Sequence, residues 1–279
     1  MRIAATVAEM RAVRRDMTGG VGFVPTLGAL HEGHLALVRA AREQNQHTVA
    51  SIFVNPTQFG DPDDFASYPR DPERDLALLR NEGVDIVFLP ESAEIYPADA
   101  STFVEVEHIT DTLEGIHRPG HFRGVATVVA KLFQIVRPQR AYFGRKDAQQ
   151  LAVIRRLVRD LHFDIEIVAV PTVREPDGLA MSSRNALLSV SDRQAALVLS
   201  RALRRTEELF AAGERDGETL RAAMRGIIAA EPQAQVDYVS VADTETLREL
   251  ARVEHAALAS LAVRIGGVRL IDNVELKSE

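Results

Sequence analysis

The stretch Val21-Gly-Phe-Val-Pro-Thr-Leu-Gly-Ala-Leu-His-Glu-Gly-His34 contains the change of pattern that decides the fold. Residues 21–26 are an apolar run, which predicts a short buried strand, and residues 32–43 carry aliphatic side chains at helical spacing. A strand that leads through a glycine-containing turn into a helix is typical of a β-α-β unit. His31 and His34 then lie in or beside the first turn of that helix, on one face.

The same alternation continues to about residue 170. Apolar runs predict further strands, and apolar residues at helical spacing predict helices between them. The predicted strands are 47–54, 84–89, 140–143 and 164–170, and the predicted helices are 71–81, 121–136 and 147–161. Strands that are apolar throughout are typical of a parallel sheet that helices cover on both faces. The sequence therefore predicts an α/β protein with a parallel sheet.

The pattern changes after Pro171, where Glu175-Pro-Asp-Gly178 is a turn signal. Alanine-rich helical patterns follow, and then short strand patterns, the last two of which are joined by a Gly266-Gly267 hairpin signal. The predicted helices are 192–211 and 218–230, and the predicted strands are 236–241, 261–265 and 268–271. We therefore predict two domains, residues 1–173 with the parallel sheet and residues 174–279 as a smaller α+β domain.

The composition excludes several classes of protein. With 46% hydrophobic and 26% charged residues among 279, the chain has the composition of a globular protein. A formal charge of −7 argues against nucleic-acid binding, and no stretch approaches the roughly 18 consecutive apolar residues of a membrane span. The first 20 residues favour an amphipathic helix over a transit peptide, because they include acidic residues. The absence of cysteine excludes disulfides and fits a reducing compartment, so we predict a cytoplasmic protein with neither a membrane nor a nucleic-acid partner.

Residues 27–34 connect the first predicted strand to the first predicted helix and have the features of a phosphate site. A helix N-terminus presents free N–H groups and the positive end of the helix dipole, both of which favour anions. His31 and His34 add side-chain donors there, and Gly28 and Gly33 permit close approach of backbone or nucleotide. The alternatives are two idle, exposed histidines or a zinc site, which lacks a third ligand at suitable spacing.

Residues 143–150, Phe-Gly-Arg-Lys-Asp-Ala-Gln-Gln, also follow a predicted strand and open a predicted helix. Ligands of open α/β sheets bind at the carboxyl ends of the strands, so we expect this segment to face the same crevice. Lys146 could contact a phosphate, Asp147 could accept from ribose hydroxyls, and Gln150 could face the same pocket. The chain has three lysines, at positions 131, 146 and 277, which we interpret as codon bias. For Lys146 alone, the position in this loop favours a function over a solvated surface lysine.

Two other segments could complete a ligand site. Residues 181–185, Met-Ser-Ser-Arg-Asn, place two hydroxyls and a guanidinium in the predicted linker, which suits a phosphate, although alone such a segment is more often a solvated loop. Residues 55–60 follow the second strand, and Gln58 there offers amide donors and an acceptor. The acidic run 61–64 is expected to be a solvated loop.

His117 and His121 have the spacing of a His-x-x-x-His pair, but Pro119-Gly120 lies between them. Proline and glycine interrupt a helix, so the two imidazoles are not expected to share a helical face. We expect this pair in a loop.

Together, these four motifs resemble the pantoate–β-alanine ligase family of the nucleotidylyltransferase superfamily. The resemblance covers nearly the whole chain and is carried by residues 22–38, 51–60, 117–129, 142–151 and 177–185. It implies a Rossmann-like parallel sheet of the nucleotidylyltransferase type, with the smaller C-terminal domain closing over the active site. The implied reaction has two steps: the carboxylate of (R)-pantoate attacks the α-phosphorus of ATP and displaces pyrophosphate, and the amine of β-alanine then displaces AMP from pantoyl adenylate. The product is pantothenate, in the coenzyme A pathway.

The resemblance also implies roles for the residues that match the family motifs. His31, His34, Lys146 and Arg184 are implied to be catalytic. The implied ATP-binding residues are Leu27, Gly28, Ala29, Leu30, His31, Glu32, Gly33, His34, Gly144, Arg145, Lys146, Asp147, Val173, Met181, Ser182, Ser183 and Arg184. Gln58 and Gln150 are implied to bind pantoate or β-alanine, with indirect help from Asn55, Arg118 and His121. Mg²⁺ is implied with ATP, with Asp75 as an outer-sphere contact, and a homodimer is implied.

In this family the residue at the position of His34 is often regarded as a proton donor. We interpret His34 as a neutral hydrogen-bond donor to the leaving pyrophosphate, since an imidazole of pKa ~6.5 can donate a hydrogen bond without transferring a proton.

Two positions depart from the family pattern. Leu27 stands where methionine is usual, which conserves volume, and Ala148 stands where an aromatic residue is common. Neither change removes a group with an implied chemical role.

Three alternative functions stay open on the sequence. One is a nucleotidylyltransferase that transfers AMP or CMP to a phosphorylated acceptor; Gln58, the Gln149-Gln150 pair and the second domain argue against it. A class I aminoacyl-tRNA synthetase is disfavoured by the acidic charge. A non-catalytic nucleotide-binding module is disfavoured by the retention of Lys146 and both histidines.

Overall fold

The computed structural model describes residues 1–277. The strands are β1 (Arg2–Ala4), β2 (Val21–Thr26), β3 (His47–Ile52), β4 (Ile86–Phe88), β5 (Arg140–Gly144), β6 (Glu166–Val170), β7 (Gln235–Ala242), β8 (Ala256–Ile265) and β9 (Val268–Lys277). The α-helices are α1 (Val7–Asp16), α2 (Glu32–Gln44), α3 (Pro62–Ser67), α4 (Pro72–Asn81), α5 (Ser92–Ile95), α6 (Glu114–His117), α7 (His121–Val136), α8 (Ala148–Asp160), α9 (Val190–Ala211) and α10 (Gly217–Ala229). Single 3₁₀ turns lie at Pro56–Gln58, Arg145–Asp147 and Ser183–Leu187.

The first six strands form one parallel sheet in the order β1-β4-β3-β2-β5-β6. From β2 the chain adds β3 and then β4 on one side, and it returns to the other side of β2 for β5 and β6. The strand order therefore reverses between β2 and β5, and open α/β sheets bind ligands at the carboxyl side of such a reversal. The predicted α/β fold with a Rossmann-like parallel sheet is confirmed.

Helices cover both faces of this sheet, and each face has its own apolar core. Helices α1, α7 and α8 enclose one core with Phe23, Phe88 and Phe133, and α2 and α4 enclose the other with Val38 and Leu79. Because both faces are buried, most side chains of the central strands are apolar, and the polar Thr26, Thr48 and Ser51 are buried among them.

The C-terminal part forms an antiparallel sheet in the order β7-β8-β9, packed against α9 and α10 around a third apolar core. The predicted domain boundary between residues 173 and 174 stays a prediction. The connecting segment contacts both parts, since Leu179 belongs to the core of the second sheet whereas Met181 lies against the cavity described below. Within residues 1–277, no helix has the length and apolar character to cross a membrane.

Strand ends were the weakest part of the sequence prediction. Strand β1 was missed because three residues are too few to show a period. Strand β8 begins at Ala256, five residues before the predicted start of 261, and its first five residues are mostly alanine. Alanine has low strand propensity, but this strand is central in its sheet, and pairing on both sides overrides the local preference.

Candidate active site

A cavity of about 260 Å³ opens at the carboxyl edge of the parallel sheet and is closed on its far side by the second sheet. Segments that follow β2, β3, β5 and β6 meet there, together with the segment that leads into α9. The predicted site residues that line it are Leu27, His31, Gly33, His34, Gln58, Gly144, Lys146, Asp147, Gln150, Val173, Met181, Ser182, Ser183 and Arg184. Residues that are far apart in the sequence thus share one wall, as the parallel topology predicts.

The side chain of Asp75 holds the turn between β2 and α2. Gly28 and Ala29 have φ of 93° and 50°, so the chain passes twice through the left-handed region, where only glycine is unstrained. The buried Asp75 carboxylate accepts from the backbone N–H of Ala29 at 2.8 Å and of Leu30 at 2.7 Å. Each carboxylate oxygen accepts one of these bonds, and Asp75 does not line the cavity, so its side chain supports the turn; the implied outer-sphere contact with Mg²⁺ stays a prediction.

His31 and His34 lie at the N-terminus of α2 with their ring centroids 4.1 Å apart. The Nδ1 of His31 accepts from the Gly33 N–H at 3.2 Å, and the Nδ1 of His34 accepts from the His31 N–H at 3.3 Å. Since both Nδ1 atoms are acceptors, the proton of each neutral ring is on Nε2. These two histidines cap the helix and keep Nε2–H as a free donor.

The surroundings keep both rings neutral. Burial, followed by the positive charge of Lys146, lowers the pKa of His31 from 6.5 to about 4. Burial, followed by the neighbouring His31, lowers the pKa of His34 to about 3. At neutral pH the two imidazoles are therefore uncharged hydrogen-bond donors. The role of His34 as a donor to pyrophosphate stays a prediction.

Lys146 is held by its main chain, and its ammonium group forms an ion pair with Asp147 but no hydrogen bond within residues 1–277. The carbonyl oxygen of Lys146 accepts from the side-chain amide of Asn273 on β9 at 2.7 Å. The Lys146 Nζ lies 3.7 Å from the nearest Asp147 carboxylate oxygen, which is too far for a hydrogen bond. No acceptor in the described part of the chain reaches Nζ, so its donors are available to an anion in the cavity.

Arg184 reaches across the cavity mouth to α3. Its Nη2 lies 3.2 and 3.3 Å from the two carboxylate oxygens of Asp64, and Ser182 caps the 3₁₀ turn by accepting from the Arg184 N–H. The segment predicted as a linker that suits a phosphate therefore forms a capped 3₁₀ turn. The expectation of a loop at residues 61–64 was wrong, because Pro62 starts a short helix there, whereas residues 61–63 are exposed to solvent as expected and Asp64 forms an ion pair.

Gln58 is buried and oriented by Asn55. The Asn55 side-chain amide donates to Gln58 Oε1 at 3.0 Å and to the Gly124 carbonyl at 3.2 Å, while Asn55 Oδ1 accepts from the Tyr96 hydroxyl at 2.9 Å. With Oε1 engaged, the Nε2 amide of Gln58 is the group left for a ligand. The indirect role predicted for Asn55 matches this geometry.

His121 and Arg118 support the same turn from the other side. Arginine only donates, so the contact between Arg118 Nη1 and His121 Nε2 at 3.1 Å makes Nε2 an acceptor. The protonated Nδ1 of His121 then donates to the Gln58 carbonyl at 2.9 Å. His117 ends α6 and a left-handed Gly120 precedes α7, so the expectation of a loop for this histidine pair was wrong, whereas the helix predicted at 121–136 is confirmed.

The two glutamines of residues 149–150 have different positions. Gln149 is buried, donates to the Ile109 and Thr112 carbonyls at 2.9 Å each, and accepts from the Glu114 N–H at 2.9 Å. Its side chain holds the chain ahead of α6 in place. Gln150 lines the cavity with a side chain that makes no hydrogen bond within residues 1–277, which leaves its amide for a ligand.

A few predicted ATP-binding residues point elsewhere. The Glu32 carboxylate forms an ion pair with Arg39, and Arg145 forms one with Glu275 at 3.1 Å. The Leu30 side chain is buried in the sheet core. These residues contribute backbone to the turns that follow β2 and β5, but their side chains do not line the cavity.

None of the residues by which the second sheet contributes to the cavity was named from the sequence. Tyr238, Leu258, Ser260, Ile271 and Asn273 close the cavity on that side. Two ion pairs hold the sheet in place, Arg174 with the buried Asp272 at 2.7 Å and Arg269 with the buried Glu114 at 2.5 Å. No local motif marks these positions, because long-range packing alone brings them to the site.

The chain is similar to known proteins over nearly its whole length. The family profile described as pantoate-beta-alanine ligase matches residues 2–275. The chain belongs to the pantoate-beta-alanine ligase family. This membership confirms the resemblance stated on the sequence motifs, and it confirms the prediction of an ATP-using ligase of pantothenate biosynthesis.

Relatives in this ligase family match the chain end to end. The pantothenate synthetase of Roseiflexus castenholzii is 61% identical over 278 residues, which is 100% of both chains. The crystal structure of pantothenate synthetase from Thermus thermophilus has a TM-score of 0.95 and 51% identity, with 100% of both chains covered. The pantoate-beta-alanine ligase of Francisella tularensis, solved as a complex with beta-gamma ATP and beta-alanine, has a TM-score of 0.82 and 36% identity over 98% of this chain and 97% of that one.

Proposed function

We propose that this chain condenses (R)-pantoate with β-alanine in the cavity described above, through pantoyl adenylate, with release of pyrophosphate and AMP. One observation carries the proposal: the donors suited to a polyphosphate and the amides suited to a hydroxy acid line the same cavity. The bound nucleotide and beta-alanine in the Francisella tularensis ligase support it.

The phosphate side of the cavity fits the adenylation step. In-line attack at phosphorus is accelerated chiefly by positioning and by neutralisation of developing charge. The N-terminus of α2 and the Nε2–H donors of His31 and His34 suit the leaving pyrophosphate, and the ammonium of Lys146 suits the α-phosphate. Ser182, Ser183 and Arg184 would contact the β- and γ-phosphates. Asp147 and Gly144 would contact the ribose.

The side-chain amides that line the cavity suit the hydroxy acid. The free amide groups of Gln58 and Gln150 can donate to the hydroxyls and carboxylate of pantoate. Gln58 is held from both sides, by Asn55 and by His121, so its orientation does not depend on the substrate. A prepositioned carboxylate facing the α-phosphate gains most of its rate from proximity.

Mg²⁺ is expected to bind together with ATP and not at a site formed by protein side chains. Among residues 1–277 no group of three or more histidine, aspartate or glutamate side chains could hold a metal ion. Both oxygens of Asp75 accept from backbone amides, and the groups that face the phosphates are donors and cations. The residues therefore do not fit a resident Mg²⁺, and we propose that Mg²⁺ enters on the triphosphate, as is usual for this ion. The homodimer and the cytoplasmic location stay predictions.

The decisive assay supplies ATP, Mg²⁺, pantoate and β-alanine and identifies the products by mass. An amide product together with AMP, each dependent on both pantoate and β-alanine, is the expected result. Formation of ADP would contradict adenylation. Nucleotide transfer to a phosphorylated acceptor, with no amide, would favour the nucleotidylyltransferase alternative instead.

Replacement of Arg184 by alanine is expected to raise the apparent Kd of ATP about 10- to 100-fold, because charge-assisted hydrogen bonds are worth about 1.5–3 kcal/mol. Pantoate affinity should change much less, since Gln58 and Gln150 remain. Isothermal titration with each substrate measures both. As a control, Asp64→Asn removes the ion pair of Arg184 but leaves the guanidinium, so it should not weaken ATP binding. A larger loss for pantoate than for ATP would overturn the assignment.

The histidine pKa values predict how the enzyme responds to pH. With the folded pKa of His31 at about 4 and of His34 at about 3, both rings stay neutral above pH 5, so the kcat/KM for ATP should show no histidine ionisation near pH 6.5. His34→Gln keeps a side-chain N–H donor, and its pH profile should have the same shape. An acid limb near pH 6.5 that disappears in this variant would contradict neutral histidines.

The same shifts predict lower stability in acid. Because the folded pKa values of His31, His34 and His121 lie below the unfolded value of 6.5, the unfolded chain binds protons that the folded chain does not. Their contribution to the free energy of unfolding is complete above pH 6.5 and is lost as pH falls toward about 4. Urea unfolding between pH 7 and 5 measures this slope, and the triple glutamine variant should show a smaller one. An equal slope in that variant would contradict the assignment.

A further inference from the structure

Arg118 is a positively charged residue that lines the cavity, and the proposed mechanism assigns no ligand to it. It is half-buried, at the end of α6, and lines the cavity. Of the five N–H groups of a guanidinium, one donates to His121 Nε2 at 3.1 Å, and no other side-chain hydrogen bond of Arg118 exists in the described part of the chain. The other four N–H groups of the Arg118 guanidinium therefore have no acceptor in the described part of the chain.

The acidic groups around Arg118 are already engaged. Glu114 gives both carboxylate oxygens to Arg269, at 2.5 and 2.9 Å, and Asp64 gives both to Arg184. No ion pair of Arg118 occurs within residues 1–277. Burial, and then the neighbouring charge of Arg184, lowers the pKa of Arg118, so its surroundings disfavour the charge as they stand. Buried charges in proteins are normally paired, which indicates that an anion in the cavity completes this site.

The proposed reaction, on which this inference rests, brings three anions to the cavity. The triphosphate has its own donors in His31, His34 and Lys146, with the N-terminus of α2. The pantoate carboxylate is the nucleophile of the first step and becomes an uncharged acyl group in pantoyl adenylate. The β-alanine carboxylate takes no part in bond making and stays charged through the second step.

We infer that Arg118 binds the carboxylate of β-alanine and so selects an amine that carries a carboxylate group. Through His121, the guanidinium is tied to the main chain of Gln58, the residue that would orient pantoate. A carboxylate bound there places the amine of β-alanine near the acyl carbon of the adenylate. In that step the C–N bond forms, the bond from the acyl carbon to the AMP oxygen breaks, AMP leaves with the electron pair, and the amine proton goes to solvent.

The role of His121 in this arrangement is positional. Its Nδ1–H donates to the Gln58 carbonyl, which fixes the ring, and its Nε2 then accepts from Arg118. Burial, followed by the charge of Arg118, lowers the pKa of His121 to about 4, so the ring remains a neutral acceptor at neutral pH. The fork of Arg118 is thereby held in one orientation before substrate arrives, and a bidentate contact depends on that orientation.

The test uses the full-length chain with Arg118→Gln and separates the two half-reactions. Pantoate-dependent exchange of pyrophosphate into ATP reports adenylation without β-alanine, and amide synthesis is measured with β-alanine and with n-propylamine, which has the same three carbons but no carboxylate. We expect kcat/KM for β-alanine to fall about 10²-fold, as for loss of one partner of a desolvated charge pair. The exchange reaction and amide synthesis with propylamine depend on Arg118 only through the support of the Gln58 turn, so they should fall much less. Arg118→Lys should restore part of the preference for β-alanine.

The controls make each outcome decisive. Arg155 is exposed on α8, so Arg155→Gln removes the same charge away from the cavity and should leave the preference unchanged. An unchanged preference for β-alanine over propylamine in both Arg118 variants, or a loss of exchange equal to the loss of amide synthesis, would overturn the inference. Failure of the unmodified chain to catalyse pantoate-dependent exchange would instead refute the proposed function.

Discussion

Lys146→Ala is expected to lower the rate of pantoyl adenylate formation by about 10²–10³, comparable to the loss of one donor that stabilises a transition state. The ammonium group has no hydrogen-bond acceptor within residues 1–277, and its side chain is only 19% exposed, so its charge is available at the α-phosphate. Pantoate-dependent pyrophosphate exchange measures the step directly. ATP affinity should change less, because the histidines and Arg184 are proposed to bind the other phosphates.

Two matched variants test whether the effect is specific to Lys146. Lys277 is exposed at the end of β9, and Lys277→Ala removes the same charge with no expected effect on exchange. Lys146→Arg keeps the charge but replaces a compact ammonium by a planar fork, so it should restore activity only in part. An exchange rate in Lys146→Ala equal to that of the unmodified chain would refute the role.

Gly124→Ala is expected to lower kcat/KM for pantoate by about 10²-fold, since a displacement of about 1 Å at a reacting group has an effect of that order. Gly124 lies on α7 where the turn of Gln58 packs against the helix. A Cβ at this position would be 2.3 Å from the Thr57 carbonyl oxygen and 2.6 Å from the Gln58 nitrogen. These are backbone atoms, so the turn itself has to move and carries the Gln58 amide with it.

The loss of activity expected for Gly124→Ala follows from the steric contact with residues 57 and 58, and not from helix propensity. In a helix interior, alanine is about 1 kcal/mol more favourable than glycine. Gly226 on α10 has no atom within 4 Å of such a Cβ, so Gly226→Ala should stabilise the protein slightly and leave activity unchanged. Thermal unfolding and steady-state rates of both variants make the comparison. A Gly124→Ala protein with unchanged kcat/KM for pantoate would show that the turn adapts without moving Gln58.

The position of Lys131 in the structure could not be interpreted from composition. Lys131 was treated as background of the arginine-rich composition, with no role expected. In the structure its ammonium donates to the Ile95 carbonyl at 2.7 Å and lies 4.5 Å from the centre of the Tyr96 ring. Tyr96 in turn donates to Asn55, so Lys131 belongs to the support of the Gln58 turn. Lys131 and Ile95 are 36 positions apart in the chain, and local sequence carries no signal for their contact.

What the sequence by itself determined is the parallel sheet and the two turns that follow β2 and β5. Those features depend on interactions between near neighbours: apolar runs, helical spacing, and the glycine and histidines at the start of α2. Parallel topology then requires that the ends of these strands meet, so His31, His34 and Lys146 could be assigned to one site without coordinates.

Only the tertiary structure decided how the cavity is closed and which side chains remain free. Asp75 is bound to a turn 45 positions away, Arg184 to Asp64, and Glu114 to Arg269 across 155 residues of chain. A carboxylate or a guanidinium has the same appearance in a sequence whether its partner is a protein group, a substrate or water. Its availability to a substrate is a property of three-dimensional packing, and for that reason Arg118 could be recognised as a candidate carboxylate site only after its neighbours were found to be engaged elsewhere.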